Sequence, residues 1–164
     1  MKQWKAILKP WRKGFTLIEL VIVFGIIAIL GGTTLATTRG IQRRTLNNAS
    51  LALQADMRRA QQMALIEGRR WRVQFDQQNN RYIVHPVPRL SALPEEIREV
   101  HLPSGVTIDF INSPHAGTFL EYLPRGTTSS GFRVDLRNGV YVQRITATVS
   151  AGRIAIHDME RLNE

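Results

Sequence analysis

Phe15-Thr-Leu-Ile-Glu-Leu-Val-Ile-Val-Phe-Gly-Ile-Ile-Ala-Ile-Leu-Gly-Gly-Thr-Thr-Leu-Ala-Thr-Thr38 runs for 24 residues with a single charge, Glu19. Coiled as an α-helix at ~1.5 Å per residue it measures ~36 Å, enough to cross a ~30 Å hydrocarbon layer with some tilt. Two other readings fit less well. A secretory signal has an apolar core of only ~7–15 residues ending in an A-x-A-like site, whereas this run is longer and offers only Leu35-Ala36-Thr37. A soluble core helix carries a polar face, and residues 20 to 38 show none beyond threonines. The stretch predicts one membrane span over 15–38. Upstream, the four lysines of the chain (Lys2, Lys5, Lys9, Lys13) stand with Arg12 in the first 14 residues without an acid. That block carries +5 of the formal +9 of the 164 residues, and it favours a cytoplasmic N-terminus, although Arg39, Arg43 and Arg44 follow the span. The C-terminal part then lies outside the cell or in the periplasm.

Glu19 is the oddity of the run. An acid in lipid costs a few kcal/mol and persists where it finds a partner or snorkels to the interface. The run holds no cation. Cutting the chain between Gly14 and Phe15 would supply one, an α-amine of pKa ~7.7–8.0 that is mostly protonated at neutral pH. On a neighbouring subunit that amine could meet Glu19 inside a helical bundle and set the axial register.

Lys13-Gly14-Phe15-Thr16-Leu17-Ile18-Glu19-Leu20 resembles the processing motif of type IV prepilins and type II secretion pseudopilins. The resemblance implies a leader at 1–14, cleavage between Gly14 and Phe15 by a prepilin peptidase, and N-methylation of Phe15. It also implies that Glu19 assists assembly with other pseudopilins or pilins into a filament.

Downstream, Leu46, Ala49, Leu53, Met57, Ala60 and Ala64 recur with helical spacing, while Arg43, Asn47, Gln54, Arg58, Gln61 and Gln62 fall on other faces. No proline occurs between Trp11 and Pro86, and Gly68 offers a stop. The helix is therefore predicted to continue as an amphipathic segment over 39–67. Gly31-Gly32-Thr33-Thr34 is its weakest point, open to a bend or local melting. Beyond Gly68 the period drops to two. Trp71, Val73 and Phe75 alternate with polar residues, Asp76 to Asn80 supplies a turn, and Arg81 to His85 completes a hairpin. Pro86 to Pro103 reads as a loop leading into a short strand. Five further strands are predicted at Val106–Ile111, Thr118–Tyr122, Phe132–Leu136, Val140–Val149 and Arg153–His157, with Asn138-Gly139 as a hairpin turn. Gly126 to Gly131 reads as a flexible tip. The fold class is α+β: a long N-terminal helix, membrane half plus amphipathic half, packed on an antiparallel β-rich head over 68–164. A chain starting near Arg43 is expected to fold alone.

Phe119-Leu-Glu-Tyr-Leu-Pro124-Arg-Gly126, Gly131-Phe-Arg-Val-Asp-Leu136, Ile145 to Val149 and Gly152-Arg153-Ile154 are similar to the C-terminal half of the H-type minor pseudopilin (GspH/FimT-like) family. The resemblance implies a pilin-like fold and one of two roles. One is a structural subunit of a type II secretion-like pseudopilus; the other is a minor type IV pilin that captures DNA in natural transformation. DNA-binding relatives resemble this chain at Gly152-Arg153 but carry a second base two positions on, where Ala155 stands here. Arg69, Arg70, Arg72 and Arg153 are the residues that could hold DNA, arginine being suited to phosphate by its planar fork. The secretion reading is preferred, because the mature net charge is only +4 and no aromatic ladder is interleaved with these arginines.

Catalytic chemistry is not visible. There is no cysteine, no H-E-x-x-H and no G-x-S-x-G, and His85, His101, His115 and His157 are widely spaced. Glu95, Glu96 and Glu99 read as a solvated acidic stretch. No catalytic residue, metal site or cofactor is predicted. The partners implied are the peptidase, the membrane and other filament subunits.

Overall fold

A computed structural model describes residues 16–87, 97–113 and 118–162, with 30–38 described by backbone alone. The chain divides into two units, Met1–Thr38 and Arg39–Glu164.

The first unit carries the start of helix α1 (Leu17–Glu67, 51 residues). Thr16 caps it: the Glu19 amide donates to Thr16 O at 3.1 Å and to Thr16 Oγ1 at 3.3 Å. With Thr16 at the cap and Glu19 three residues on, this is the Thr-x-x-Glu arrangement of a capping box, and it sets an acid at the positive end of the helix dipole. The helix is continuous through Gly31-Gly32-Thr33-Thr34, so no local melting interrupts it. From Leu17 to Ile29 the large apolar side chains are exposed, Leu17 and Ile18 by 82% and 70%. Among the described residues no helix is long and apolar enough to cross a membrane, the side chains of the apolar run being described only as far as Ile29.

In the second unit α1 turns its stripe inward. Leu46, Ala49, Leu53, Met57, Ala60 and Ala64 are all buried, as their spacing predicts. The helix ends at Glu67 because Gly68 adopts φ +60°, a left-handed cap that suits glycine. Among the described residues nine strands follow: β1 (Trp71–Asp76), β2 (Arg81–Pro86), β3 (Arg98–His101), β4 (Val106–Asn112), β5 (Phe119–Tyr122), β6 (Phe132–Asn138), β7 (Tyr141–Ala147), β8 (Ile154–Ile156) and β9 (Glu160–Arg161). They form two antiparallel sheets, one ordered β3-β2-β1-β5 and one ordered β4-β6-β7-β8, with β9 also pairing β7. One apolar core joins the helical stripe to both sheets. Phe75 of β1 stacks on Phe132 of β6 at 5.1 Å between ring centroids, linking the sheets directly.

Three local readings are revised. The β6–β7 turn is centred on Gly139 and Val140 rather than on Asn138-Gly139: Asn138 pairs with Tyr141 as the last residue of β6, and Gly139 takes φ +60°. Glycine at the first central position suits a primed hairpin turn. Buried Asn138 instead donates from Nδ2 to Gln42 O at 3.2 Å, tying the hairpin to α1. The 126–131 segment is no flexible tip. Thr128 and Ser130 are buried, Thr128 bridges to Tyr122, and its hydroxyl donates to Thr148 O at 3.1 Å, since small hydroxyl side chains can pack where larger ones cannot. Finally, the two-residue strand β9 was not foreseen, being too short to show a period.

Candidate functional site

Gly14 and Phe15, the residues of the expected cut, lie outside the described residues. Glu19 is described in the first turn of α1, exposed like the apolar residues around it. The exposed side chains at Leu17, Ile18, Leu20, Val21, Ile22 and Phe24 give this stretch an apolar surface among the described residues. Thr16 was missed as a participant, and the Thr-x-x-Glu signature could have found it.

The arginines considered for DNA fall into two groups. Arg69, Arg70 and Arg72 lie where α1 hands over to β1. Arg69 Nε meets Glu67 Oε2 at 2.5 Å and its guanidinium stands 5.7 Å from the centre of the Trp71 ring. Trp71 Nε1 donates to the same carboxylate at 2.9 Å. Glu67 is held below the usual carboxylate range, chiefly by the Arg69 hydrogen bond. Arg70 and Arg72 converge on Glu121 of β5, at 3.3 and 2.9 Å. The register explains this, because β1 places Arg72 directly opposite Glu121. Glu121 is buried, and Arg72 also covers the Phe119 ring at 4.0 Å. Among the described residues these three arginines are held by the carboxylates of Glu67 and Glu121.

Arg153 belongs elsewhere. It is exposed in the turn between β7 and β8, where it lines a cavity of about 360 Å³ with Arg58, Gln61 and Gln62. Gln61 closes one side, donating from Nε2 to Gly126 O at 2.6 Å and to Ala151 O at 3.2 Å. Gly152 has φ +58°, and a Cβ there would approach Gly126 O to 2.4 Å, so only glycine fits. No described contact joins Arg153 to the other three. Ala155 lies on β8, paired with Thr146.

Other acids also bind arginine. Arg81 pairs with Asp76 at 2.9 Å and Glu99 at 2.5 Å, and exposed Arg98 pairs with buried Asp56 at 3.1 Å. Asp56 in turn accepts from Tyr82 Oη at 2.7 Å, and burial followed by this carboxylate pushes the phenol well above its ordinary range. Glu99 sits on β3 beside His101, while Glu95, Glu96 and His115 lie outside the described residues. His85 and His157 contact Pro86 O and Thr146 Oγ1 at 2.9 and 3.0 Å. Among the described residues no group of three His, Cys, Asp or Glu could hold a metal ion.

An exposed apolar helix start and a helix stripe buried on antiparallel β-structure define a pilin-like α+β fold. The model of the family described as type II transport protein GspH matches residues 49–152, and the prokaryotic N-terminal methylation motif matches residues 12–35. The chain belongs to the type II transport protein GspH family. It is similar in fold to the type IV minor pilin FimU of Pseudomonas aeruginosa, with 17% identity, TM-score 0.55, and coverage of 71% of this chain and 90% of that one. It is likewise similar to the minor pseudopilin EpsH of the Vibrio cholerae type II secretion system, with 12% identity, TM-score 0.52, and coverage of 71% and 97%. Among curated proteins none matches the chain in sequence.

Proposed function

We propose that the chain works as a minor pseudopilin, a structural subunit of a type II secretion-like pseudopilus, with a mechanical rather than catalytic role. The observation that carries this reading is the succession, in one chain, of a methylation motif over 12–35 and a GspH match over 49–152. The precursor sits in the cytoplasmic membrane by 15–38, with its N-terminus inside and its head outside. A prepilin peptidase removes 1–14 between Gly14 and Phe15 and methylates Phe15. The exposed apolar surface from Leu17 to Ile29 then finds its cover among neighbouring subunits, and Glu19 meets the Phe15 amine of one of them. Mass spectrometry of protein recovered from membranes tests the reading. A mature mass beginning at methylated Phe15 is expected; an intact Met1 terminus in cells with an active peptidase would sink it. Glu19→Ala should insert into membranes but recover fewer filament partners in pull-downs.

The fold likeness to FimU favours a second reading, a minor type IV pilin. In its DNA-receptor form the arginines would grip phosphate, and the pairing of Arg69, Arg70 and Arg72 with Glu67 and Glu121 speaks against that form. Partners recovered with the mature chain separate secretion from pilus assembly.

A further inference from the structure

Within the second unit, α1 and the edge of the β7 sheet line an open cavity of about 650 Å³, a volume typical of small-ligand sites. One wall is α1 from Gly40 to Asn48; the other is Ile156 to Met159. The second wall has a local cause. Ile145 pairs with Ile156 and Val142 with Glu160, so three residues, 157–159, stand opposite two, Gln143 and Arg144, and the edge bulges away.

The two walls carry opposite charge. Arg43 and Arg44 are exposed on the helix wall and form no ion pair among the described residues. Asp158 is exposed on the sheet wall and has no cationic partner there either. Gln143 lines the same cavity from β7; it is only 5% exposed, and its Oε1 is buried without a hydrogen-bond donor. A buried acceptor left in this state can take a donor from a water or a ligand.

We propose that this cavity receives the phosphoethanolamine headgroup of a membrane phospholipid, with its phosphate on Arg43 and Arg44 and its ammonium on Asp158, the Gln143 amide rotating to present Oε1 to it. The match is one of charge and of donors. A guanidinium fork suits phosphate oxygens, and an ammonium brings three N–H groups to a cavity that offers a carboxylate and an unfilled amide oxygen. The membrane is within reach. Arg43 stands five residues beyond Thr38, and five residues in any conformation extend at most ~18 Å. The proposal rests on the membrane reading of 15–38. A second copy of the chain is a poorer occupant, because its exposed acids without an ion pair among the described residues, Asp158 and Glu160, could meet the arginines but would bring no cation to Asp158, whereas a phosphoethanolamine headgroup brings both charges. Headgroup capture would hold the head at the bilayer until the subunit is drawn into a filament.

The test uses the full chain in dodecyl maltoside micelles, offered dihexanoyl phosphatidylethanolamine, dihexanoyl phosphatidylglycerol or inorganic phosphate, with adducts counted by native mass spectrometry. The ethanolamine lipid should be retained about tenfold better than either alternative. The Arg43→Ala/Arg44→Ala pair should lose about tenfold of that retention, and Asp158→Asn should reduce the ethanolamine lipid to the glycerol lipid's level. The unfolding temperature should be unchanged in both, all three side chains being exposed. Equal retention of the two lipids, or no effect of the arginine pair, overturns the proposal. Equal retention of inorganic phosphate assigns the cavity to a free anion, and displacement of the lipid by a tetraglutamate peptide assigns it to a protein partner; either result overturns the lipid. Carbonate washing of membranes separates the two readings. Loss of the wild-type chain on washing fails the membrane reading and this one together, whereas a retained chain without headgroup preference fails this one alone.

Discussion

The two ends of α1 use the same residue types to opposite ends. Leu20 in the first unit is 49% exposed, and Leu53 in the second is fully buried. Near Leu53 the buried apolar residues form one stripe, with Arg58, Arg59 and Gln62, and also Leu51, exposed around it, so one face of the helix suffices to be covered by the chain's own sheets. Near Leu20 the apolar residues go all the way round, and such a helix is stable only where its surroundings are apolar on every side. The contrast teaches where each half finds its cover: the second within the chain, and the first, on the reading proposed above, in lipid or in neighbouring helices.

The largest test of that contrast removes one half at a time. A chain starting at Arg39 should be soluble, monomeric by size-exclusion chromatography, and should melt cooperatively. Gln42 contacts Asn138 and packs against Gly139, which moves the safe start from Arg43 back to Arg39. A chain starting at Gly68 should aggregate, because it uncovers the core that Leu46, Leu53 and Met57 close. If it melts as cooperatively as the longer one, the stripe is not part of the core.

Point changes repeat the test on a smaller scale. Leu53→Ala in the Arg39 chain should lower unfolding stability by about 2–5 kcal/mol in urea titrations, the range for a large-to-small change in a closed core. Leu20→Ala in the full chain should leave the melting of the head unaltered while weakening filament incorporation. Equal effects on head stability would erase the distinction between the two halves.

Acid should loosen the second unit through its arginine-bound carboxylates. Asp135 is buried between Arg133 and Arg144; burial pushes its carboxyl up, but the two guanidinium groups more than offset this and hold it below the ordinary range. Asp76 is brought down to about 2, first by the Asn79 side chain and then by Arg81. A carboxylate whose folded pKa lies below its unfolded value of ~3.9 contributes stability above that value and loses it as pH falls through the folded one. The urea midpoint should therefore fall from about pH 4 towards about pH 2. Asp135→Asn should lower the midpoint at neutral pH and flatten the acid fall; an unchanged slope would remove Asp135 from the account.

Legibility in the sequence followed the same division. The stripe from Leu46 to Ala64 and the strands at Trp71 and Arg81 were readable because a single buried face imposes a period, and all six stripe positions are buried. The Asn138-Gly139 pair misled because a local turn preference yielded to a long-range bond from Asn138 to Gln42, 96 residues away. Thr127 to Ser130 mislead because polarity suggests exposure, whereas Thr128 has a tertiary partner at Thr148. At the candidate site, the arginines were visible but their acids were not. The pairing of Arg72 with Glu121 depends on the register of β1 against β5, which no local spacing encodes.

That pairing supports the smallest predicted effect. Arg69, Arg70 and Arg72 are held by Glu67 and Glu121, and Arg153 sits apart with Arg58 around a different cavity. Non-specific electrostatic binding to duplex DNA has Kd ~10⁻⁴–10⁻⁶ M at physiological salt, and its strength follows the number of phosphates neutralised. Arginines already held by carboxylates release few counterions, so the Arg39 chain should bind at or beyond the weak end of that range, and Arg153→Ala should change binding by less than about twofold. Glu121→Gln, which keeps the shape of the side chain but removes the charge shared by Arg70 and Arg72, should strengthen binding and steepen its salt dependence. Fluorescence anisotropy with a labelled duplex at two salt concentrations measures all three proteins. Sub-micromolar binding by the unmodified chain at ~0.15 M salt, abolished by Arg153→Ala, would show that an isolated arginine beside Gly152 is enough to grip DNA, and the DNA-receptor pilin would then replace the secretion subunit as the better reading.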